Sequence, residues 1–438
     1  MTVPSDMIEY AHGFRMHDDA CDGCLACMRL CPTQAIRVRH GKASVRAELC
    51  IDCGSCLKAC TRGAIVATTS TLDEFDHFRF KVAIPSPVLF GQFPREVRPE
   101  HIVQGLLAAG FDAVWDYGIE LGMATRATAA YVDGWRGARP LVNMTCPVII
   151  RLIQVSYPRM AEQLPNMQPP RELAGREIKQ RYARELGLAP EEIAAIYVTP
   201  CQARTISIIQ PAEGGTSCLD GTVGIPQVYN TILAEARRTA ESGEHTQGPA
   251  FVRSSDMLRW ATPRVFPHAL RRHRYISVTG LTNVIRVFDD VERGKLKDID
   301  FLECYACWAG CGNGNLTVDN VYVDQAKLQT LMADLPNSDP ETQAEIERRY
   351  PTEDFSLEFP FAPRMRAEGG TLRERVQRVK AAEAVLAMLP GYDCGLCGTP
   401  ACRVLAHDVA AGEALVEDCV ILSPRRRQEL QRGHPRSS

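Results

Sequence analysis

The sequence predicts a multidomain α/β protein in which cysteine-rich modules stand on both sides of a central domain. Cysteines separated by two or three residues fill residues 21–60. Segments typical of strands and helices then alternate from residue 80 to residue 302, which indicates a largely parallel sheet. Four further cysteines lie between residues 394 and 419. The chain is therefore expected to be built around metal sites.

Bulk composition narrows the class of protein. The 438 residues are 45% hydrophobic and 24% charged, enough for two or three globular domains. The net charge of −3 gives no argument for nucleic-acid binding. We expect no membrane span, because no apolar run approaches about 20 residues. With 18 cysteines and no recognisable export signal, we expect a cytoplasmic protein whose thiols bind metal.

The N-terminal region, residues 1–77, contains two cysteine runs of spacing C-x2-C-x2-C-x3-C. This is the pattern of two-cluster bacterial ferredoxins, in which the fourth cysteine of each run binds the other cluster. The sequence therefore predicts a ferredoxin-like domain with two [4Fe–4S] clusters; a zinc module is the alternative. The expected ligands are Cys21, Cys24, Cys27 and Cys60 for one cluster, and Cys31, Cys50, Cys53 and Cys56 for the other.

Residues 78–335 form the predicted central α/β domain. A buried strand followed by a proline loop is expected at residues 80–90, and further strands are expected at residues 112–117, 141–145, 193–198 and 298–302. Helices are expected at residues 100–110, 122–132, 147–158, 172–186, 226–241 and 282–293. Ligands of parallel sheets bind beyond the carboxyl ends of the strands. Three of the predicted strands end just before cysteines, so we expect these cysteines to meet.

Those cysteines lie in the segments MTCP (144–147), TPCQ (199–202) and ECYACWAGCGNGNLTVDN (303–320). Glycines in the third segment let the backbone approach a bulky group. The segments resemble the three loops of the [FeFe]-hydrogenase catalytic domain, and LTV-x-N after the third loop resembles its sensory branch. The resemblance implies a cube on Cys146, Cys201, Cys307 and Cys311. Cys311 would bridge to a diiron subcluster that carries CO and CN ligands.

The same resemblance identifies pocket positions and departures from active enzymes. Ser86 matches a serine beside the diiron subcluster, and Arg204 stands for the lysine that holds a cyanide. Thr145 replaces a proton-relaying cysteine, and a hydroxyl is a weaker acid than a thiol. The stretch 123–131, MATRATAAY, lacks the family's proton-channel glutamates. Thr199 and Tyr305 stand where the family has methionines. We therefore expect slow proton-coupled turnover.

The C-terminal region is predicted to contain a linker (336–371), a small metal domain (372–424) and a basic tail (425–438). A helix is expected at residues 372–388. The spacing C-x2-C-x4-C-x16-C resembles the small [4Fe–4S] domain that follows the hydrogenase-like domain in the sensory branch, with zinc as the alternative. Cys218 and Cys304 remain unassigned and are predicted to be small buried hydrophobes. The expected ligands are Cys394, Cys397, Cys402 and Cys419.

Two functions fit this arrangement, and whether the chain is an enzyme stays open. The first is a hydrogenase-like protein whose central site has low activity or senses H2, wired by three further [4Fe–4S] clusters to a redox partner. The second is an electron-transfer subunit of a larger oxidoreductase complex, with a plain cube in the central domain and clusters exposed at both ends. No nucleotide or flavin motif is visible, so we expect a partner protein: a flavin- or NAD-binding or signalling subunit.

Overall fold

The computed structural model describes residues 10–212, 214–242, 251–358, 361 and 371–423. Contacts divide the chain into two compact units: Met1–Val66 with Arg364–Ser438, and Ala67–Pro363. The predicted basic tail at residues 425–438 lies outside the described residues. Among the described residues, no helix has both the length and the apolar composition needed to cross a membrane.

The strands of both units are short, whereas the helices range from 4 to 18 residues. The strands are β1 (Phe14–Met16), β2 (Ile36–Arg39), β3 (Lys42–Val45), β4 (Ile65–Ala67), β5 (Phe80–Pro85), β6 (Ala113–Val114), β7 (Leu141–Val142), β8 (Ile193–Thr199), β9 (Gly221–Gly224), β10 (Tyr275–Thr279) and β11 (Phe301–Tyr305). The helices are α1 (Ala26–Arg29), α2 (Ser55–Ala59), α3 (Pro99–Ala108), α4 (Gly118–Gly134), α5 (Pro147–Ser156), α6 (Pro170–Leu186), α7 (Gln202–Ile209), α8 (Ile225–Ser242), α9 (Ser255–Arg259), α10 (Leu281–Glu292), α11 (Val321–Ala333), α12 (Pro340–Arg349), α13 (Leu372–Met388) and α14 (Cys402–Ala410).

The first unit contains the ferredoxin-like repeat. Strands β2 and β3 form an antiparallel hairpin, and β1 pairs with β4. The repeat is visible in the backbone: Leu25 and Gly54, which precede α1 and α2, have φ values of 68° and 72°. Left-handed residues at both positions bend each cysteine run in the same way. This agreement confirms that the two runs are copies of one local structure.

The second unit is the predicted α/β domain, and its strands are parallel. One sheet has the order β6-β5-β8-β9 and the other β10-β11-β7. Strand β8 is entirely buried, as expected for a strand covered on both faces. The carboxyl ends of β7, β8 and β11 lead directly into the three cysteine segments. The prediction of a largely parallel α/β domain is therefore confirmed.

Strand β11 lies three residues later than predicted. The predicted strand, residues 298–302, ended before Glu303. In the structure Glu303 is fully buried, and its Oε1 accepts hydrogen bonds from the Val265 N–H (3.0 Å) and the Tyr305 hydroxyl (2.6 Å). A buried carboxylate with such partners can remain inside a strand.

The segment predicted as a linker, 336–371, differs from that expectation in its first half. Helix α12 begins after Asp339, whose Oδ2 accepts a hydrogen bond from the Thr342 N–H at 2.8 Å. Ile346 is 4% exposed and packs on Gly122 of α4, where a Cβ would lie 2.4 Å from its Cδ1. The acidic, proline-containing composition suggested a linker, but a capped start and one apolar anchor are enough for a docked helix. Residues 359–360 and 362–370 lie outside the described residues.

Candidate metal centres

The cysteines of the first predicted ferredoxin site line one cavity. Cys21, Cys24, Cys27 and Cys60 surround it, together with apolar residues that include Val38 and Ala43. The pKa of Cys27 is raised to about 11, chiefly by burial and also by the neighbouring Cys21 and Cys24. The fourth cysteine of the second run thus lies with the first three of the first run.

The second predicted ferredoxin site shows the reciprocal exchange. The pKa of Cys53 is raised to about 11, chiefly by burial, and Cys31 is among the neighbours that contribute to the rise. Backbone amides point at two of these sulfurs: Ala35 N–H donates to Cys31 Sγ at 3.2 Å, and Asp52 N–H donates to Cys50 Sγ at 3.4 Å. Such donors stabilise thiolates bound to iron.

The C-terminal cysteines also gather at one point. Burial raises the pKa of Cys397, and the nearby Cys394 and Cys419 raise it further. Cys402, at the start of α14, packs in the same small core as Cys419. The Thr399 hydroxyl lies 3.0 Å from Cys397 Sγ. The four residues predicted as ligands are therefore close neighbours.

In the central domain, two cysteines precede helices. Cys146 is the residue before α5, and Cys201 is the residue before α7. Burial raises the pKa of both thiols, whereas backbone N–H groups of the following helix lower it in each case. A helix N-terminus favours a thiolate, the form that binds metal.

The third loop packs directly on the second. Leu316 N–H donates to Pro200 O at 2.9 Å, and Asn315 Nδ2 donates to Gln202 Oε1 at 3.0 Å. A Cβ on Gly314 would lie 2.1 Å from Pro200 O, so the approach requires glycine. These contacts fix the loop that carries Cys307 and Cys311 beside the loop that carries Cys201.

The structure brings three of the four predicted central ligands into mutual range. Burial raises the pKa of Cys311, and Cys146 raises it further; Cys311 in turn raises the pKa of Cys201. Cys307 lies one turn earlier on the same loop, where its carbonyl accepts the Gly310 N–H at 3.2 Å. Of the unassigned cysteines, Cys304 is fully buried in β11 as expected, whereas Cys218 is only half-buried.

Arg204 is the cation of this site. One of its nitrogens donates to the Tyr197 hydroxyl, and Nη2 lies 3.7 Å from Cys311 Sγ. The guanidinium also stacks over the Tyr197 ring, 5.4 Å from its centroid. Burial lowers the pKa of Arg204, but the acidic neighbours Tyr197 and Cys311 outweigh burial, so it stays charged. Arg204 was predicted as a pocket residue from the sequence, and in the structure its guanidinium lies beside the Cys311 sulfur.

Ser86 and Thr145 lie at the ends of two different strands. Ser86 follows β5, is 1% exposed, and its N–H donates to Val198 O at 3.2 Å. Thr145 lies between β7 and α5 and lines a cavity of about 30 Å³ together with Thr128 and Asn143. Both residues therefore lie beyond the carboxyl ends of their strands, as the cysteine loops do.

The sequence analysis missed a carboxylate on α4. The stretch 123–131 contains none, as expected, but the helix begins earlier, at Gly118, and Glu120 in its first turn is fully buried. Glu120 accepts hydrogen bonds from Trp115 Nε1 (3.1 Å) and Arg349 Nη1 (2.8 Å). Burial raises its pKa to about 7 despite the arginine. Its arginine lies 229 residues away, in the segment predicted as a linker, so no local pattern indicated the pair.

A second missed carboxylate, Asp324 of α11, lies beneath the third loop. Its side chain is fully buried, and its Oδ1 accepts a hydrogen bond from Gln92 Nε2 at 2.9 Å. Its Oδ2 has no hydrogen-bond partner among the described residues. A Cβ on Gly312 would lie 2.3 Å from that oxygen. Burial raises the pKa of Asp324 to about 7. A single aspartate in a helix gives no sequence signal.

The donor chemistry of all four centres suits iron–sulfur clusters. Each predicted centre is lined by cysteine thiols, three of them in mutual range in the central site, and sulfurs in three of the centres receive backbone N–H groups, a positive charge or a hydroxyl. Cysteine sulfur with amide donors is the usual setting of a [4Fe–4S] cluster. Because the ligand form is the thiolate, the raised thiol pKa values mean that metal binding releases protons.

Models of three protein families match the chain. "Iron only hydrogenase large subunit, C-terminal domain" matches residues 79–220. A "4Fe-4S dicluster domain" matches residues 14–61, and an Fe–S cluster family matches residues 389–421. The matches cover all three predicted parts of the chain, and they support iron–sulfur clusters rather than zinc.

Individual relatives are distant. Human nuclear prelamin A recognition factor is 23% identical over 262 residues, which cover 48% of this chain and 56% of that protein. The NADP-reducing hydrogenase subunit HndD of Solidesulfovibrio fructosivorans is 23% identical over 231 residues, 44% of this chain and 39% of that protein. The chain thus spans about half the length of the curated relatives it matches. Among solved structures, a variant of [FeFe]-hydrogenase HydA1 from Chlamydomonas reinhardtii has a TM-score of 0.47 at 15% identity, covering 66% of this chain and 92% of that one.

Proposed function

This chain is an [FeFe]-hydrogenase-like iron–sulfur protein with ferredoxin and C-terminal Fe–S domains, and from this premise we propose that it is a redox protein whose central site has low hydrogenase activity or senses H2. In this proposal Cys146, Cys201, Cys307 and Cys311 would hold a [4Fe–4S] cluster, and Cys311 would also be the ligand shared with a diiron subcluster that has CO and CN ligands. Three further [4Fe–4S] clusters connect this site to a partner.

The observation that carries the proposal is the contact between Arg204 and Cys311. A buried cation normally has an anionic partner. The groups that face this guanidinium are the Tyr197 hydroxyl and the Cys311 sulfur, 3.7 Å away. A positive charge at the proposed bridging sulfur would stabilise thiolate and any anionic ligand bound beside it. A diiron subcluster, when bound, supplies the metal that binds H2.

The same geometry accounts for low activity. A hydroxyl at Thr145 is too weakly acidic to exchange protons rapidly near neutral pH, unlike a thiol. Glu120, the buried carboxylate on α4, is held by Trp115 and Arg349 and is therefore committed to an ion pair. Neither residue provides a free proton carrier, which supports a sensing or slow site over a fast one.

The second candidate function is an electron-transfer subunit of a larger oxidoreductase complex. It is favoured by the hydroxyl at Thr145 and by the hydrogen bonds that Glu120 accepts from Trp115 and Arg349, since an electron conduit needs no proton route. In that case Arg204 balances the charge of a plain cube. By its name, the similar protein HndD is a subunit of an NADP-reducing hydrogenase. For both functions we propose a redox partner that is a flavin- or NAD-binding or signalling subunit.

Infrared spectroscopy with an iron count separates the two functions. The protein would be made in cells that have the hydrogenase maturation machinery and purified without oxygen. The proposal expects bands in the CO and CN stretching region and more than about 16 irons per chain, the number for four cubes. A Cys311→Ala variant, prepared in parallel, should lose the bands. About 16 irons without bands would refute the diiron subcluster and leave the electron conduit.

A further inference from the structure

A buried ion pair joins the ferredoxin domain to the C-terminal Fe–S domain within the first unit. Arg37 donates from Nε to Asp408 Oδ2 at 2.7 Å and from Nη2 to Oδ1 at 3.1 Å. The two residues are 6% and 4% exposed. Arg39 adds a third hydrogen bond to Asp408 at 2.9 Å. Two-pronged pairing of this kind fixes orientation as well as distance.

The backbone closes the same interface. Val38 N–H, on the outer edge of β2, donates to Gly398 O at 2.8 Å. Gly398 has a φ of +83°, and a Cβ there would lie 1.7 Å from Val38 O. Only glycine permits both the conformation and the approach. The loop that follows Cys397 therefore covers the free edge of the β2–β3 hairpin.

One layer of residues separates the C-terminal loop from the first ferredoxin site. Val38, whose backbone bonds to Gly398, also lines the cavity of Cys21, Cys24, Cys27 and Cys60. Met28, which follows Cys27, lies beneath Gly395, where a Cβ would be 3.0 Å from its Cε. Arg29 donates to Cys394 O at 3.5 Å.

From this geometry we propose that the C-terminal four-cysteine site is a built-in neighbour of the Cys21–Cys24–Cys27–Cys60 site, and that Arg37 and Asp408 are positioning residues that hold the two together. The inference rests on the cluster sites of the proposed function and adds their order. In this proposal the C-terminal site is not a separate far terminus of the relay, in contrast to the arrangement with clusters exposed at both ends. An electron that leaves one of these sites reaches the other without a docking step.

Magnetic resonance on the full chain tests this neighbourhood. Reduced [4Fe–4S] clusters are paramagnetic, and two that adjoin broaden each other's signals and speed their relaxation. In the fully reduced wild type we expect an interaction between the C-terminal cluster and the adjoining ferredoxin cluster. This interaction should be lost in Cys397→Ser, which removes a C-terminal ligand. In Asp408→Asn we expect the wild-type iron count but a weakened interaction. Arg79→Gln, which breaks the exposed pair with Glu192, is the control and should behave as wild type.

Hydrogen exchange decides the case in which Asp408→Asn loses iron. The Val38 amide should be protected in the wild type, since it donates to Gly398, and should exchange at least tenfold faster in Asp408→Asn. The proposal would be overturned if the ferredoxin cluster signals were the same in the wild type and in Cys397→Ser, which lacks the C-terminal cluster. A fast-exchanging Val38 amide in the wild type would also overturn it. Neither result depends on CO or CN bands, so the proposed function can fail while this inference stands, and the reverse.

Discussion

The ferredoxin sites and the central site both bring cysteines together, but the cysteines of the central site are much farther apart in the sequence. Each ferredoxin site takes three cysteines from one run, placed by local turns such as the left-handed Leu25 and Gly54, and its fourth from the other run. The central site collects Cys146, Cys201 and Cys311 from the ends of three strands in two sheets. A local site depends on its own spacing, whereas a dispersed site depends on the whole domain. Substitutions should therefore act locally in the first and more widely in the second.

The largest effect is expected from loss of a dispersed ligand. Cys146→Ala removes a thiolate that only the fold places beside the other loops, so we expect the loss of about four irons per chain and of any diiron subcluster. Cys218→Ala is the matched control, since Cys218 is a half-buried cysteine outside all four centres. Iron analysis with infrared spectra measures both. Full iron content in Cys146→Ala would remove it from the ligand set.

The next effect concerns the proton relay at the end of β7. Thr145→Cys puts an acidic thiol where a hydroxyl now stands, so H2 evolution should rise, by about 10²-fold or more if proton transfer is limiting. Activity with a chemical reductant is the measurement, and Thr128→Cys, on the same cavity, is the control. Unchanged activity in protein with CO and CN bands would mean that the missing carboxylates of the stretch 123–131, or the pocket itself, set the limit.

A smaller effect is expected from the charge beside Cys311. Arg204→Met removes a cation that stabilises the more reduced, more negative cluster, so the reduction potential of the central cluster should fall. Arg204→Lys keeps the charge and should fall less, which separates charge from packing on Tyr197. Redox titration followed by magnetic resonance measures the shift. Equal shifts in the two variants would show that the flat guanidinium shape, rather than its charge, matters.

The comparison also explains what the sequence could predict. The ferredoxin and C-terminal cysteines were found from spacing alone, because their ligands are local. The parallel strands that lead to Cys146 and Cys201 were predicted because apolar runs before a cysteine are typical of buried strands. Strand β9 was missed, since two of its four residues are glycines and its burial depends on packing, as at Gly221 against Phe75.

What could not be predicted are contacts between segments distant in the sequence. Arg349 appeared to belong to a linker, yet it holds Glu120 across 229 residues. Arg37 and Asp408 are ordinary charged residues until the fold pairs them across 371 residues. Charged residues usually lie on the surface, so a sequence assigns them there by default. Only the packed structure shows which of them are buried.

The smallest effect sharpens this last point, because it concerns a buried carboxylate that no pattern identified. Burial raises the pKa of Asp324 to about 7, while Lys327 lowers it and Asp319 raises it. A folded pKa above the unfolded value near 4 means that the folded state binds a proton more tightly. The contribution of Asp324 to the free energy of unfolding is therefore greatest at low pH and is lost as the pH rises through about 7.

Asp324→Asn should remove this loss, which is on the order of 2–4 kcal/mol. Anaerobic denaturant unfolding at pH 5 and pH 8 measures it. The variant should lose less stability than the wild type, although Glu120 and Glu303, also with pKa values of about 7, should leave part of the slope. Asp290→Asn is the control: the hydrogen bond from Lys295 lowers the pKa of this carboxylate, which has no interaction with Asp324, so the variant should leave the slope above pH 5 unchanged. An unaltered slope in Asp324→Asn would mean that the carboxylate beneath Gly312 is ionised in the folded protein and must be balanced by the site above it.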